Sequence, residues 1–182
     1  MAKVYAFFAD GLEMVEGLTV VDVLRRGGVD CSIVSISDQL EVVSSHQVKI
    51  NCDVLMKEID FSKGDMIFLP GGLGGMERLD GCQPLKEEIK NYLEEGKYVT
   101  AICASPTIFG RMGILEGKKA TCYPGMEGDL KGAKVSKHDV VVDGTIVTGR
   151  AMGPAIPFAL KLLELLTDKK MADQVAKGIC FK

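Results

Sequence analysis

Basic charge, metal-ligand spacing and long apolar runs are all scarce in this sequence, and each shortage removes a class of function. Lys and Arg number 22 against 25 Asp and Glu in 182 residues, a net charge of −3 with a pI near 5.5. Nucleic-acid binders carry a basic surface that neutralises phosphates, so no nucleic-acid partner is expected. Only two histidines are present, His46 and His138, and the six cysteines (Cys31, Cys52, Cys82, Cys103, Cys122 and Cys180) contain no Cys-x-x-Cys pair. No metal site is therefore expected. No run of 18 residues is free of charge, and the central charge-free piece, Tyr98 to Gly110, is too short to span a bilayer, so no membrane partner is expected either. The apolar run Val4 to Ala9 meets Asp10 and Glu13 before any cleavage-like site and reads as a buried first strand. Six cysteines with no export signal read as free thiols of a cytoplasmic protein, most of them small buried hydrophobes. Linkers, repeats and low-complexity segments are also missing.

What is there is a globular composition, 47% hydrophobic and 26% charged, in a length that suits one domain over residues 1–182. Elements alternate, which predicts an α/β fold with a largely parallel sheet covered by helices. The expected strands are Lys3 to Ala9, Cys31 to Ile36, Asp65 to Leu69 and Tyr98 to Ile102. Helices are expected from about Glu13 to Arg26, closed by Gly27-Gly28, then over Pro84 to Glu95, from Pro106 to about Met112, over Pro154 to Leu166 and near Lys170 to Ala176. Residues 40–62 suit short antiparallel strands near an edge. Val140-Val141-Val142 and Thr145-Ile146-Val147 flank Asp143-Gly144, a pair favoured in type I′ hairpin turns.

Open α/β sheets bind ligands beyond the carboxyl ends of their strands, so the loops that follow strands carry the search for chemistry. Ala101-Ile102-Cys103-Ala104-Ser105 places a cysteine at a strand-to-helix corner with small residues two before and two after it, the spacing a sharp nucleophile elbow needs. Pro106 suits a first helical turn, so Cys103 is expected at a helix N-terminus, where the dipole and free N–H groups lower a thiol pKa. A buried structural cysteine at a tight turn is the alternative. Pro70-Gly71-Gly72-Leu73-Gly74-Gly75 reads as a loop whose bare backbone either approaches Cys103, offering N–H groups to an oxyanion together with that of Ala104, or simply turns the chain. It lacks the Gly-Lys-Ser/Thr of a P-loop and the Gly-x-Gly-x-x-Gly of a dinucleotide site, so no nucleotide cofactor is expected. Glu16 shares a helical stripe with Val20 and Val23. It is either a solvated first-turn acid or a buried carboxyl that holds its proton, and proximity to Cys103 would decide. His46, His138 and Arg150 each read as surface residues or as site residues, according to where the fold carries them.

These residues resemble the ThiJ/PfpI superfamily, in the branch of the Parkinson-associated protein deglycase. The resemblance runs over nearly the whole chain, through Val21-Asp22-Val23-Leu24-Arg25-Arg26, Leu69-Pro70-Gly71-Gly72 and, most specifically, Ala101-Ile102-Cys103-Ala104-Ser105-Pro106-Thr107. It implies a flavodoxin-like three-layer sandwich, usually a homodimer, with Cys103 as nucleophile, Glu16 as a protonated acid beside it, and Gly72 and Ala104 at the oxyanion positions. The implied activity is a cofactor-free glyoxalase or deglycase acting on small α-oxoaldehydes or their glycated adducts. The alternatives are a redox sensor or chaperone in which Cys103 is oxidised without turnover, and an intracellular cysteine peptidase. The sequence departs from the pattern where relatives carry a His after the elbow helix: here Thr121-Cys122-Tyr123-Pro124 occupies that place, and Tyr123 is a poor base at neutral pH. The peptidase branch has a His directly after the cysteine, where this chain has Ala104. Tyr123, Arg150 and His46 are the remaining candidates for substrate or anion contacts.

Overall fold

The computed structural model describes residues 1–182. Eleven strands and six helices follow one another along the chain. The first strand, β1 (Lys3–Phe8), is fully apolar at its centre because it is covered on both faces. Val4, Ala6 and Phe8 enter one core layer while Tyr5 and Phe7 enter the other, as a period of two requires. Helix α1 (Met14–Arg26) is capped by Glu13, whose carboxylate accepts the N–H of Val15 at 3.1 Å, and its chain reverses at Gly28 with φ +78°. Next come β2 (Asp30–Ser35), a separate hairpin of β3 (Glu41–Val43) and β4 (Lys49–Asn51), and the two-residue edge strand β5 (Val54–Leu55).

The chain then returns through β6 (Met66–Leu69), α2 (Leu73–Gly81), α3 (Gln83–Glu94), β7 (Tyr98–Ile102) and α4 (Pro106–Arg111). Two short strands, β8 (Lys119–Ala120) and β9 (Lys134–Val135), pair with each other. The hairpin of β10 (Val140–Asp143) and β11 (Ile146–Gly149) precedes α5 (Ala155–Leu166) and α6 (Lys169–Gly178).

Seven strands form the central sheet in the order β10-β11-β7-β6-β1-β2-β5, and every pairing is parallel except β10 with β11. Helices α1, α5 and α6 cover one face and α2, α3 and α4 the other, which is the expected flavodoxin-like three-layer sandwich. Helices α1 and α5 meet so closely that a Cβ on Gly27 would run into the side chain of Leu163. Each fully buried aliphatic side chain in such a layer contributes roughly 1.5–3 kcal/mol of transfer free energy. The strand order reverses between β1 and β6, so the crevice of the sheet opens at their carboxyl ends, next to β7.

Several sequence expectations need correction. The glycine-rich stretch after β6 is a loop only as far as Gly72. Leu73 begins α2, and its Gly75 packs on the backbone of Leu12 so closely that a Cβ would lie 2.8 Å from the Leu12 Cα. The hairpin turns on Gly144 and Thr145, with positive φ at Gly144 alone (+62°), so it follows the II′ pattern instead of I′. Within residues 40–62 only β3 and β4 are antiparallel, and β5 adds to the main sheet in parallel. Cys31 lies in β2 as expected, whereas Cys122 lies past the end of β8.

Candidate active site

Four loops, those after β1, β6, β7 and β11, meet at the carboxyl end of the sheet, and the segment after β8 joins them. They surround a cleft of about 690 Å³ lined among others by Glu13, Glu16, Gly72, Cys103, Ala104 and Tyr123. Cys103 is held there in a left-handed conformation, φ +65°, which a non-glycine residue adopts at a cost on the order of 1–3 kcal/mol. Its neighbours supply the restraint. The Cys103 N–H donates to the carbonyl of Gly149 at 2.9 Å, the Tyr123 N–H donates to the Cys103 carbonyl at 2.7 Å, and the buried Ser105 hydroxyl donates to the Pro70 carbonyl at 2.5 Å. Thr107 donates from its hydroxyl to the Ala104 carbonyl at 2.7 Å. A backbone kink tied at four points exposes one thiol at a fixed angle.

Glu16 comes from the first turn of α1, on the stripe that also buries Val20 and Val23, and has no solvent exposure. The Gly71 N–H donates to its Oε2 at 2.9 Å, while Oε1 is buried without a hydrogen-bond partner. Burial above all, and then the charge of Glu13, push the Glu16 carboxyl up to about 7, against the neighbouring Cys103 and the hydrogen bond from Gly71, which favour its charged form. Gly71 must be glycine here, because a Cβ would lie 2.5 Å from the Cys103 Cβ and 3.1 Å from its Sγ and would press on the Glu16 carboxyl.

The thiol behaves differently from the sequence expectation. Cys103 is not in the helix: α4 starts at Pro106 after a turn, and it is short. Burial first, and then the Glu16 carboxyl, push the Cys103 thiol up to about 12, while the neighbouring N–H groups of Gly72 and Ala104 pull the other way. A terminal dipole of a helix this short does not offset desolvation together with a neighbouring carboxylate. With the thiol pushed further up than the carboxyl, the sulfur of the pair keeps its proton at neutral pH. The Gly72 and Ala104 N–H groups have no acceptor, so they face the place where negative charge would develop.

Of the remaining candidates, Tyr123 lines the cleft with its side chain half exposed. Arg150 does not line it: the guanidinium turns to the Lys137 carbonyl at 3.4 Å, although the following residues, Ala151 to Gly153, do form the wall. His46 is exposed on the turn of the β3–β4 hairpin, where Nδ1 meets the Ser45 hydroxyl at 3.0 Å, and His138 is exposed before β10. Neither histidine borders the cysteine. Glu13, Leu73, Met126 and Met152 complete much of the lining and were not singled out by sequence reasoning. Glu13 carried a usable signal as the acid immediately before α1, three residues from Glu16. No three His, Cys, Asp or Glu side chains converge as metal ligands, and no helix is long and apolar enough to cross a membrane.

Comparison with known proteins agrees with this architecture. The model of the DJ-1/PfpI family matches residues 2–165. Protein DJ-1 homolog B of Arabidopsis thaliana is 42% identical over 176 residues, covering 96% of this chain and 40% of that protein. The chain spans less than half the length of the two Arabidopsis relatives it matches. A Caenorhabditis elegans relative named glutathione-independent glyoxalase DJR-1.2 is 29% identical over 170 residues, 92% of this chain and 90% of that protein. Among solved structures, oxidized Toxoplasma gondii DJ-1 superposes with a TM-score of 0.95 at 32% identity, covering 100% of this chain and 99% of that one. The family match over residues 2–165, the sequence identities and the superposition have one reading: this chain belongs to the DJ-1/PfpI family.

Proposed function

We propose that this protein is a cofactor-free glyoxalase or deglycase that converts small α-oxoaldehydes, free or as glycated adducts, to 2-hydroxy acids through Cys103. The observation that carries this reading is the fully buried Glu16 carboxyl beside the Cys103 thiol, both packed on Gly71, with the acceptor-free N–H groups of Gly72 and Ala104 at the same elbow. A relative named as a glyoxalase that works without glutathione supports it, because a chain with its own thiol needs no external one.

For methylglyoxal the steps balance as follows. Sγ of Cys103 bonds to the aldehyde carbon while its proton passes to the Glu16 carboxylate, and the carbonyl electron pair moves onto oxygen, facing Gly72 and Ala104. Glu16 returns the proton to that oxygen, giving a hemithioacetal. Loss of the proton on the former aldehyde carbon, whose bonding pair forms a C=C bond as the ketone oxygen takes up a proton, gives an enediol. Protonation of the adjacent carbon and loss of the proton on the first oxygen then leave a 2-hydroxyacyl thioester, the first carbon oxidised and the second reduced. Water cleaves the thioester, releases lactate and restores the thiol. A carboxyl poised near 7 suits every proton transfer in this sequence. Rapid quenching with methylglyoxal should leave a 2-hydroxyacyl group on the Cys103 peptide by mass spectrometry. An unmodified peptide during steady lactate formation would contradict the covalent route.

A second reading, oxidation sensing or chaperone action without turnover, is favoured by the unpartnered Glu16 Oε1, which could donate to an oxygen added to the sulfur. Two equivalents of peroxide convert a thiol to a sulfinic acid and yield two of water. Selective oxidation of Cys103 by limiting peroxide, with no lactate from methylglyoxal, would establish that reading. A peptidase is disfavoured by the distance of both histidines from the cleft. Assembly as a homodimer is part of the proposal, supported by the exposed apolar side chains of Val15 and Leu18 on α1, and sedimentation equilibrium tests it.

A further inference from the structure

The reactive cleft contains acids and no bases. Its only charged side chains are Glu13 and Glu16; no Lys, Arg or His lines it. Arg150 and Arg78 stay outside its lining. Arg150 faces the Lys137 carbonyl, and Arg78, in an adjoining groove beyond Leu73, donates to the Gly74 carbonyl at 3.0 Å. Glu13 is half-buried and borders both the cleft and that groove, so its charge lies on the wall between them. Its carboxylate is held in place as the cap of α1 through the Val15 N–H. Its charge reaches the reacting pair, since it contributes to holding the proton on Glu16.

We propose that Glu13 is a specificity-determining residue that admits neutral and cationic carbonyl compounds to Cys103 and rejects those carrying a carboxylate or phosphate. The proposal rests on the reading of this cleft as a carbonyl site. A fixed unit charge a few ångströms from a bound anion, in a partly desolvated cleft, disfavours that anion by about tenfold or more. Methylglyoxal and amine-borne adducts pass this filter, and α-oxo acids and sugar phosphates do not.

Alkylation of Cys103 by iodoacetamide and by iodoacetate tests the filter without depending on turnover, because the two reagents differ chiefly in charge. The rate ratio of neutral to anionic reagent is measured at Cys103 by peptide mass spectrometry and divided by the same ratio for a neutral small thiol, N-acetylcysteine amide. Changes in thiol reactivity cancel in such a ratio. The expected value for the native protein is about 10 or more, falling at least about threefold in Glu13→Gln, whose amide can still cap α1 while Glu16 keeps its own share of the repulsion, and remaining high in Glu13→Asp, with the contrast shrinking as salt is raised. A native ratio near 1, or one unchanged by Glu13→Gln, overturns the proposal. Absence of lactate formation alongside the expected ratios would remove the enzymatic reading and leave the charge filter standing.

Discussion

The carboxyl of Glu16, in the first turn of α1, lies beside the thiol of Cys103 at the end of β7, with Gly71 packed against both. Strand order produces the meeting. Strands β1, β6 and β7 lie near one another at the centre of the sheet, so the loops that follow them share one crevice. The chemistry assigned to the site depends on which partner holds the proton.

Activity should rise with pH through about 7. Glu16 accepts the thiol proton only when ionised, and its carboxyl is pushed up to about 7 by burial. A profile of kcat/KM from pH 5 to 9 should show one ascending limb with a midpoint near that value, and Glu16→Gln should flatten it and lower the rate by about 10²–10⁴-fold. A flat native profile would remove Glu16 as the base.

Stability should run in the opposite direction. The folded pKa of Glu16 lies above its ordinary value, so the native state binds the proton more tightly than the unfolded chain does. The resulting stabilisation is complete below pH 4.5 and is lost as pH rises through about 7. Its size is up to about 3 kcal/mol. Urea denaturation should show Glu16→Gln gaining on the native protein between pH 5 and 8. Parallel curves would mean that the carboxyl is not desolvated as described.

Gly71→Ala should disable the site without unfolding the protein. The added methyl would intrude on the Cys103 Cβ and the Glu16 carboxyl. A loss of at least about tenfold in kcat/KM is expected, with about 1–3 kcal/mol of stability lost to overpacking. Gly81→Ala, where a Cβ meets nothing, is the control. Equal activity of the two variants in steady-state assays would show that the close approach at Gly71 has no functional weight.

Tyr123→Phe should cost little. The Tyr123 side chain is half exposed, and its hydroxyl has no hydrogen-bond partner in the protein, while its backbone N–H keeps the bond to Cys103. A change in kcat/KM of less than about fivefold is expected from removing a solvated hydroxyl. A loss of a hundredfold would make Tyr123 a catalytic residue in place of the family histidine.

Much of the frame was legible in the sequence because its signals are local. The buried parallel strands read as apolar runs, Gly28 marks the end of α1, and small residues around Cys103 mark the elbow. The start of α2 was hidden: Gly74 and Gly75 argue for a loop by propensity, and only the approach of Leu12 explains Gly75 inside a helix. The state of Cys103 was misjudged for a related reason. Local position predicts a dipole that lowers the thiol pKa, whereas burial and Glu16, contributed by distant parts of the chain, dominate. Burial of Glu16 itself was undecidable from a stripe that fits a solvated acid as well.

The most direct test of the account is methylglyoxal consumption with lactate measured in the same samples, native protein beside Cys103→Ser, in Tris-free buffer cleared of trace metal. The account predicts lactate equal to the aldehyde consumed in the native protein and background alone in Cys103→Ser. Lactate formed equally by both, or aldehyde lost with no lactate, would contradict it.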